Sequence, residues 1–238
     1  MPELTPLIAL GLIAGLLQFW GYWIYLTIES IDPNPVTWFM FAYGTAILTI
    51  LEWDSDATFA ELILPTVCAA LSIWVSVRCW LWARRRDPSR WWPHDWWPED
   101  RLEQYSFLTD IAITVGYLAA WGLATFALVP PEYREWAVLA FLLLSNASTL
   151  PSFYPLLRET YLDPSKEHWL PWVIWTLAYL VLGYVTFVTQ GTLWHVLMLY
   201  PASNALMHGL VAVVSLSTPM ATEPVNEKYP ADTKPVIR

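Results

Sequence analysis

Residues Leu7–Ile28 read LIALGLIAGLLQFWGYWIYLTI, twenty-two positions without one charged side chain. Crossing about 30 Å of hydrocarbon takes about 20 mainly apolar residues as a helix, because lipid offers no water to satisfy an open backbone. Leu7–Ile28 meets that demand. No basic segment precedes it and no small-residue cleavage site follows it, so it is expected to be a retained span rather than a removed signal. Outward from it, six more stretches have the same character: Thr37–Leu51, Ala60–Trp82, Phe107–Val129, Trp136–Tyr161, Trp169–Thr189 and Leu193–Ser217. The second of the seven is the shortest. Turn formers and charges collect between them, as in Asp32-Pro33-Asn34-Pro35, Glu52–Asp56, Pro130-Pro131 and Asp163–His168. Proline cannot continue a helix and biases its predecessor away from the α region, so the Asp-Pro pairs read as stops.

Composition agrees. Of 238 residues 56% are hydrophobic and only 14% charged, with a mean hydropathy of +0.40, well above the level a water-soluble core requires. The 17 Trp suit a chain whose indoles sit where hydrocarbon meets headgroups. A net charge of -9 excludes nucleic-acid binding, which needs concentrated Lys and Arg. Cys68 and Cys79 share one apolar stretch at a spacing that suits neither a disulfide framework nor a metal knuckle; they read as small lipid-facing or core residues. From Thr218 onward the chain is polar and proline-rich and is expected to be a disordered tail.

Basic loops resist translocation, so Lys and Arg mark the cytoplasmic side. In a seven-span arrangement eleven of the 12 basic residues fall on one side and Arg134 stands alone on the other. This places the N-terminus outside and the C-terminus inside. Dropping or merging a span would scatter the downstream charges. The connector from Arg84 to Asp100, rich in Arg, Trp and Pro, reads as a linker lying on the membrane surface.

The spans also repeat. With Asp32-Pro33 placed on Asp163-Pro164, and two extra residues allowed in the second loop, Trp38 falls on Trp172 and Phe41 on Trp175. The following helices align as well, Leu64-Pro65-Thr66-Val67-Cys68 on Tyr200-Pro201-Ala202-Ser203-Asn204. The spans therefore group as three, one and three. A single intervening span gives both triplets the same orientation, a parallel repeat about an axis along the membrane normal. The expected units are residues 1–83 (first triplet), 84–106 (connector), 107–131 (linker helix), 132–217 (second triplet) and 218–238 (tail).

This arrangement resembles that of the PQ-loop, SWEET and SemiSWEET transporters, which also join three-helix bundles by one linker helix. Leu150-Pro151-Ser152-Phe153-Tyr154-Pro155-Leu156-Leu157-Arg158 resembles their Pro-Gln signature, followed by an aromatic and a basic residue at the cytoplasmic end. Asn34-Pro35-Val36-Thr37-Trp38 is similar to a phrase in bacterial PQ-loop-like membrane proteins without a defined function. Two departures stand out: Ser152 replaces the Gln, and Trp20-Gly21-Tyr22-Trp23 occupies the place of a Pro-Gln pair in the first triplet. The resemblance implies an all-α, multi-pass protein of a prokaryotic inner or plasma membrane. It also implies a carrier for a small neutral solute, a sugar or similar metabolite, by alternating access.

Polar groups at membrane depth are costly and turn inward, so they nominate a site. Asn204 lies one turn after Pro201, where the resemblance implies a substrate-contacting Asn; the alternative is an interhelical amide bond that only holds the bundle. Trp38 and Trp172, related by the repeat, resemble tryptophans that stack on a sugar face. His208 follows Asn204 by four residues, on the same helical face. His195 reads as interfacial, and Asp110 as a partner for a connector arginine. Gln18 and Asn146 complete the buried polar set; Asn146-Ala147-Ser148 matches a glycosylation triplet at a depth that rules it out. Pro65, Pro151, Pro155 and Pro201 are candidate hinges, since a missing amide bond lets a helix bend. No catalytic constellation is present, no cofactor is implied, and His94-Asp95 with Glu99-Asp100 reads as loop rather than metal site. The partners expected are the bilayer, a small neutral solute and no nucleic acid, with self-association left open. The competing reading is a non-transporting receptor or accessory scaffold on the same fold, since fold alone does not choose function.

Overall fold

A computed structural model describes residues 4–28, 35–86, 101–164 and 167–217. Among these the chain is helical throughout, with no strand. The helices are α1 (Leu4–Thr27), α2 (Pro35–Asp54), α3 (Phe59–Arg86), α4 (Arg101–Thr125), α5 (Pro131–Leu162), α6 (Trp169–Gln190) and α7 (Leu199–Leu216), the last entered through a short tight turn at Val196–Met198. All but α2 are long and apolar enough to cross a membrane. The chain is thus a multi-pass, lipid-contacting helical protein. The loop at residues 29–34, most of the Arg- and Trp-rich connector with His94 and Asp95, and the tail expected to be disordered lie outside the described residues.

Polarity is distributed as lipid demands. On α1, Leu16 and Trp20 are 67% and 58% exposed while the amide Gln18 is buried. Elsewhere Ser72, Ser76, Asn146 and Asn204 are buried, and Trp53, Phe126, Trp136 and Trp194 are largely exposed. Water would reverse this pattern; hydrocarbon, which solvates apolar side chains and penalises polar ones, produces it. Those four exposed aromatics lie at the ends of α2, α4 and α5 and just before α7, where a membrane interface would hold such rings.

Capping sets several ends. Thr58 donates backbone and hydroxyl bonds to the Glu61 carboxylate at 2.7 Å, starting α3, a capping-box arrangement. His168 Nδ1 accepts from the Leu170 amide and starts α6. Gly191, at φ 71°, closes α6 in the left-handed region that glycine enters without strain. His195 accepts the Leu197 amide and starts the tight turn before α7.

The packing order is specific. α3 lies against both α1 and α2, α7 lies against both α5 and α6, α1 meets α6, α2 meets α5, and α4 covers α5 and part of α2. Close approach is built on missing side chains. A Cβ on Gly11 would stand 2.5 Å from the Ala60 carbonyl oxygen, and one on Gly21 would stand 2.3 Å from the Trp175 indole nitrogen. Gly11 and Gly15 form the small-xxx-small stripe that lets membrane helices approach backbone to side chain.

Candidate functional site

Where the helices meet, they enclose one aromatic interior. Trp172 and Trp175 pack edge to face at 4.9 Å, Trp38 lies 6.0 Å from Trp175, and Tyr22 lies 4.9 Å from Trp175. The imidazole of His208 is ringed by Tyr179, Phe153 and Trp172 at 4.8, 5.1 and 5.3 Å. Beside this cluster opens a cavity with about 50 Å³ of room for the centres of water-sized molecules. At about 10–15 Å³ for each water that is space for several of them. Its wall draws on every helix, including Tyr22, Trp38, Gly44, Cys68, Asp110, Ser148, Trp172, Tyr200, Asn204 and His208.

Asn204, Trp172, Trp38 and His208, the four residues nominated from sequence, thus line a single cavity. Asn204 donates from its carboxamide to the Tyr200 backbone carbonyl at 3.0 Å, and its backbone carbonyl is 2.8 Å from His208 Nδ1. These bonds stay within α7. Among the described residues they do not tie Asn204 to a neighbouring helix. Cys68, its repeat-related position, is buried at the same wall with its sulfur 3.4 Å from the Tyr22 hydroxyl. Cys79 is also buried and reduced.

The four candidate hinges are elsewhere. Pro65 lies inside α3, Pro151 and Pro155 inside α5, and Pro201 near the start of α7. None of the four lines the cavity. Pro151 and Pro155 bracket Ser152 and Phe153, which do. Ser152, standing where the resembled signature has Gln, bonds the Ser106 hydroxyl of α4 at 2.9 Å. Its work is to join α4 to α5.

Two residues take places that sequence reading did not give them. Asp110 was expected beside a connector arginine. Instead it is buried between α2, α4 and α5, accepts the Ser148 hydroxyl at 2.9 Å, and lines the cavity. α4 begins at Arg101, so Asp110 lies about 14 Å along the helix. Glu167, in the α5–α6 loop, accepts the Trp172 indole N–H at 2.9 Å and the Tyr25 hydroxyl at 3.2 Å. Burial, with the Glu159 carboxylate adding to it, pushes the Glu167 carboxyl up to about 7 against the pull of those two hydrogen bonds. The only signal for Glu167 in the sequence was its nearness to Trp172.

Comparison with protein-family models, curated proteins and solved structures found no match, so the likeness to PQ-loop transporters rests on the residues quoted above.

Proposed function

We propose that this chain is a membrane carrier whose solute site is the central cavity, working by alternating access between two parallel three-helix units, α1–α3 and α5–α7, joined by α4. In this reading all seven helices span, with the N-terminus outside and the C-terminus inside. The observation that supports it best is that residues related by the internal repeat, Trp38 with Trp172 and Cys68 with Asn204, meet at one cavity. The packing order supports it too: α3 takes the middle place between α1 and α2 as α7 does between α5 and α6, and the contacts of α1 with α6 and α2 with α5 are each other's repeat equivalents. A site at the interface of two repeats, reached from either side as they rock, is the working geometry of carriers built by duplication.

Proteoliposome uptake of a panel of small labelled solutes by wild type and Asn204→Ala tests this. Uptake of at least one solute, lost in the variant, is expected. An absence of uptake across the panel, or uptake indifferent to Asn204→Ala, removes the reading. Binding without uptake would favour the receptor alternative.

A further inference from the structure

The described polar side chains at the cavity wall are mostly hydroxyls, joined by the amide of Asn204, the thiol of Cys68, the imidazole of His208 and the carboxylate of Asp110. Among the described residues Asp110 is the only carboxylate there, and no described Lys or Arg lines the cavity with it. Its Oδ1 accepts from Ser148, while Oδ2 takes no hydrogen bond from the described residues. Gly44 faces that second oxygen. A Cβ at position 44 would stand 3.0 Å from Oδ2, so glycine keeps space beside the carboxylate. At 5% exposure, inside a long apolar helix, a lone carboxylate is costly unless a positive group balances it or it takes up a proton. Much of the remaining wall is aromatic, with Tyr22, Trp38, Phe153, Trp172 and Tyr200 among its members. Aromatic faces attract cations through the ring quadrupole, and do so more strongly where water is excluded.

A fixed anion and a wall of aromatic faces together match one class of solute. We propose that the cavity is a cation site, taking a small organic ammonium with Asp110 as its counter-charge and the indole and phenol faces as its lining. This deepens the carrier reading, on which it rests for the transport of that solute, and replaces the neutral solute expected from sequence. Ser148, bonded to Oδ1, fixes the carboxylate, and Oδ2 is the acceptor left for the ammonium.

The test uses the full chain purified in detergent and, separately, reconstituted in proteoliposomes. Intrinsic tryptophan fluorescence, which Trp38 and Trp172 at the wall would report, is followed during titration with ethanolammonium and with ethylene glycol, its uncharged counterpart. Choline and its neutral carbon analogue form a second, larger pair. The expected result is a saturable response to the cations alone, with affinity weakened on the order of 30-fold or more in Asp110→Asn, as loss of one partner of a buried charge pair implies. Neutral counterparts that bind as tightly as the cations overturn the proposal in wild type alone, whether or not the variant folds. So does an Asp110→Asn protein that melts as wild type does and binds the cations unchanged. Reconstitution separates the two readings. Cation binding without flux upholds the cation site and removes the carrier; flux of neutral solutes indifferent to Asp110→Asn upholds the carrier and removes the cation site.

Discussion

Glu167 sits outside the membrane-spanning segments, yet its carboxylate holds two aromatic side chains from different helices, Tyr25 of α1 and Trp172 of α6. Its folded-state pKa of about 7 stands above the ordinary value of 4.5. Between those values the folded chain retains a proton that the unfolded chain has released. The stability linked to Glu167 is therefore full below pH 4.5 and is lost as pH rises through about 7. Thermal unfolding in detergent across that range is expected to show a falling midpoint, flattened in Glu167→Gln, which stays neutral and keeps an acceptor oxygen. Identical slopes in both proteins would refute this assignment. A loop acid between Lys166 and His168 gives no hint of such a role beyond its nearness to Trp172. Its burial depends on a contact with a residue 142 positions away.

The elements are held by absent side chains as much as by present ones. α1 approaches α6 at Gly21, where the Trp175 indole lies against the backbone and donates to the Gln18 carbonyl at 3.1 Å. Gly21→Ala would place a methyl on that ring and is expected to cost about 1–3 kcal/mol through overpacking. Reversible unfolding would measure it, and an unchanged midpoint would show that the ring can move aside. α5 is the opposite case. Pro151 withholds the amide that would bond the Ala147 carbonyl, in a helix that carries Ser148, Ser152 and Phe153 to the cavity. If α5 bends during transport, Pro151→Ala restores that bond, leaves stability equal or higher, and slows proteoliposome flux several-fold. Equal flux with equal stability would mark the proline as a static kink. The Gly and Pro positions were readable in the sequence, but the partner each one faces was not.

At the scale of the whole molecule, contacts join helix ends as an alternating run of spans would. Arg134, the one basic residue assigned to the outer side, pairs with Asp54, where α2 ends and α5 begins. Gln190 at the end of α6 donates to Glu61 at the start of α3 at 3.1 Å, and Glu167 meets Tyr25 at the opposite ends of α6 and α1. The proposed orientation therefore makes a labelling prediction. A cysteine at Trp194, which is 95% exposed, should react with a membrane-impermeant maleimide from outside right-side-out vesicles. A cysteine at Arg158, also exposed, should react only after permeabilisation. The reverse pattern would invert the topology. Much of this protein is legible along the chain: its helical, membrane-embedded class and the polar residues that cannot face lipid. Hydrocarbon thickness and the cost of bare backbone act on every stretch locally, so length and composition suffice to read them. Only the packed bundle decides that Asp110 joins Asn204, Trp38, Trp172 and His208 at one cavity rather than meeting an arginine, and that Glu167 fastens α1 to α6. Those outcomes depend on how each helix is rotated and raised against its neighbours. That is set by side chains and missing side chains far apart in sequence, and no local pattern carries it.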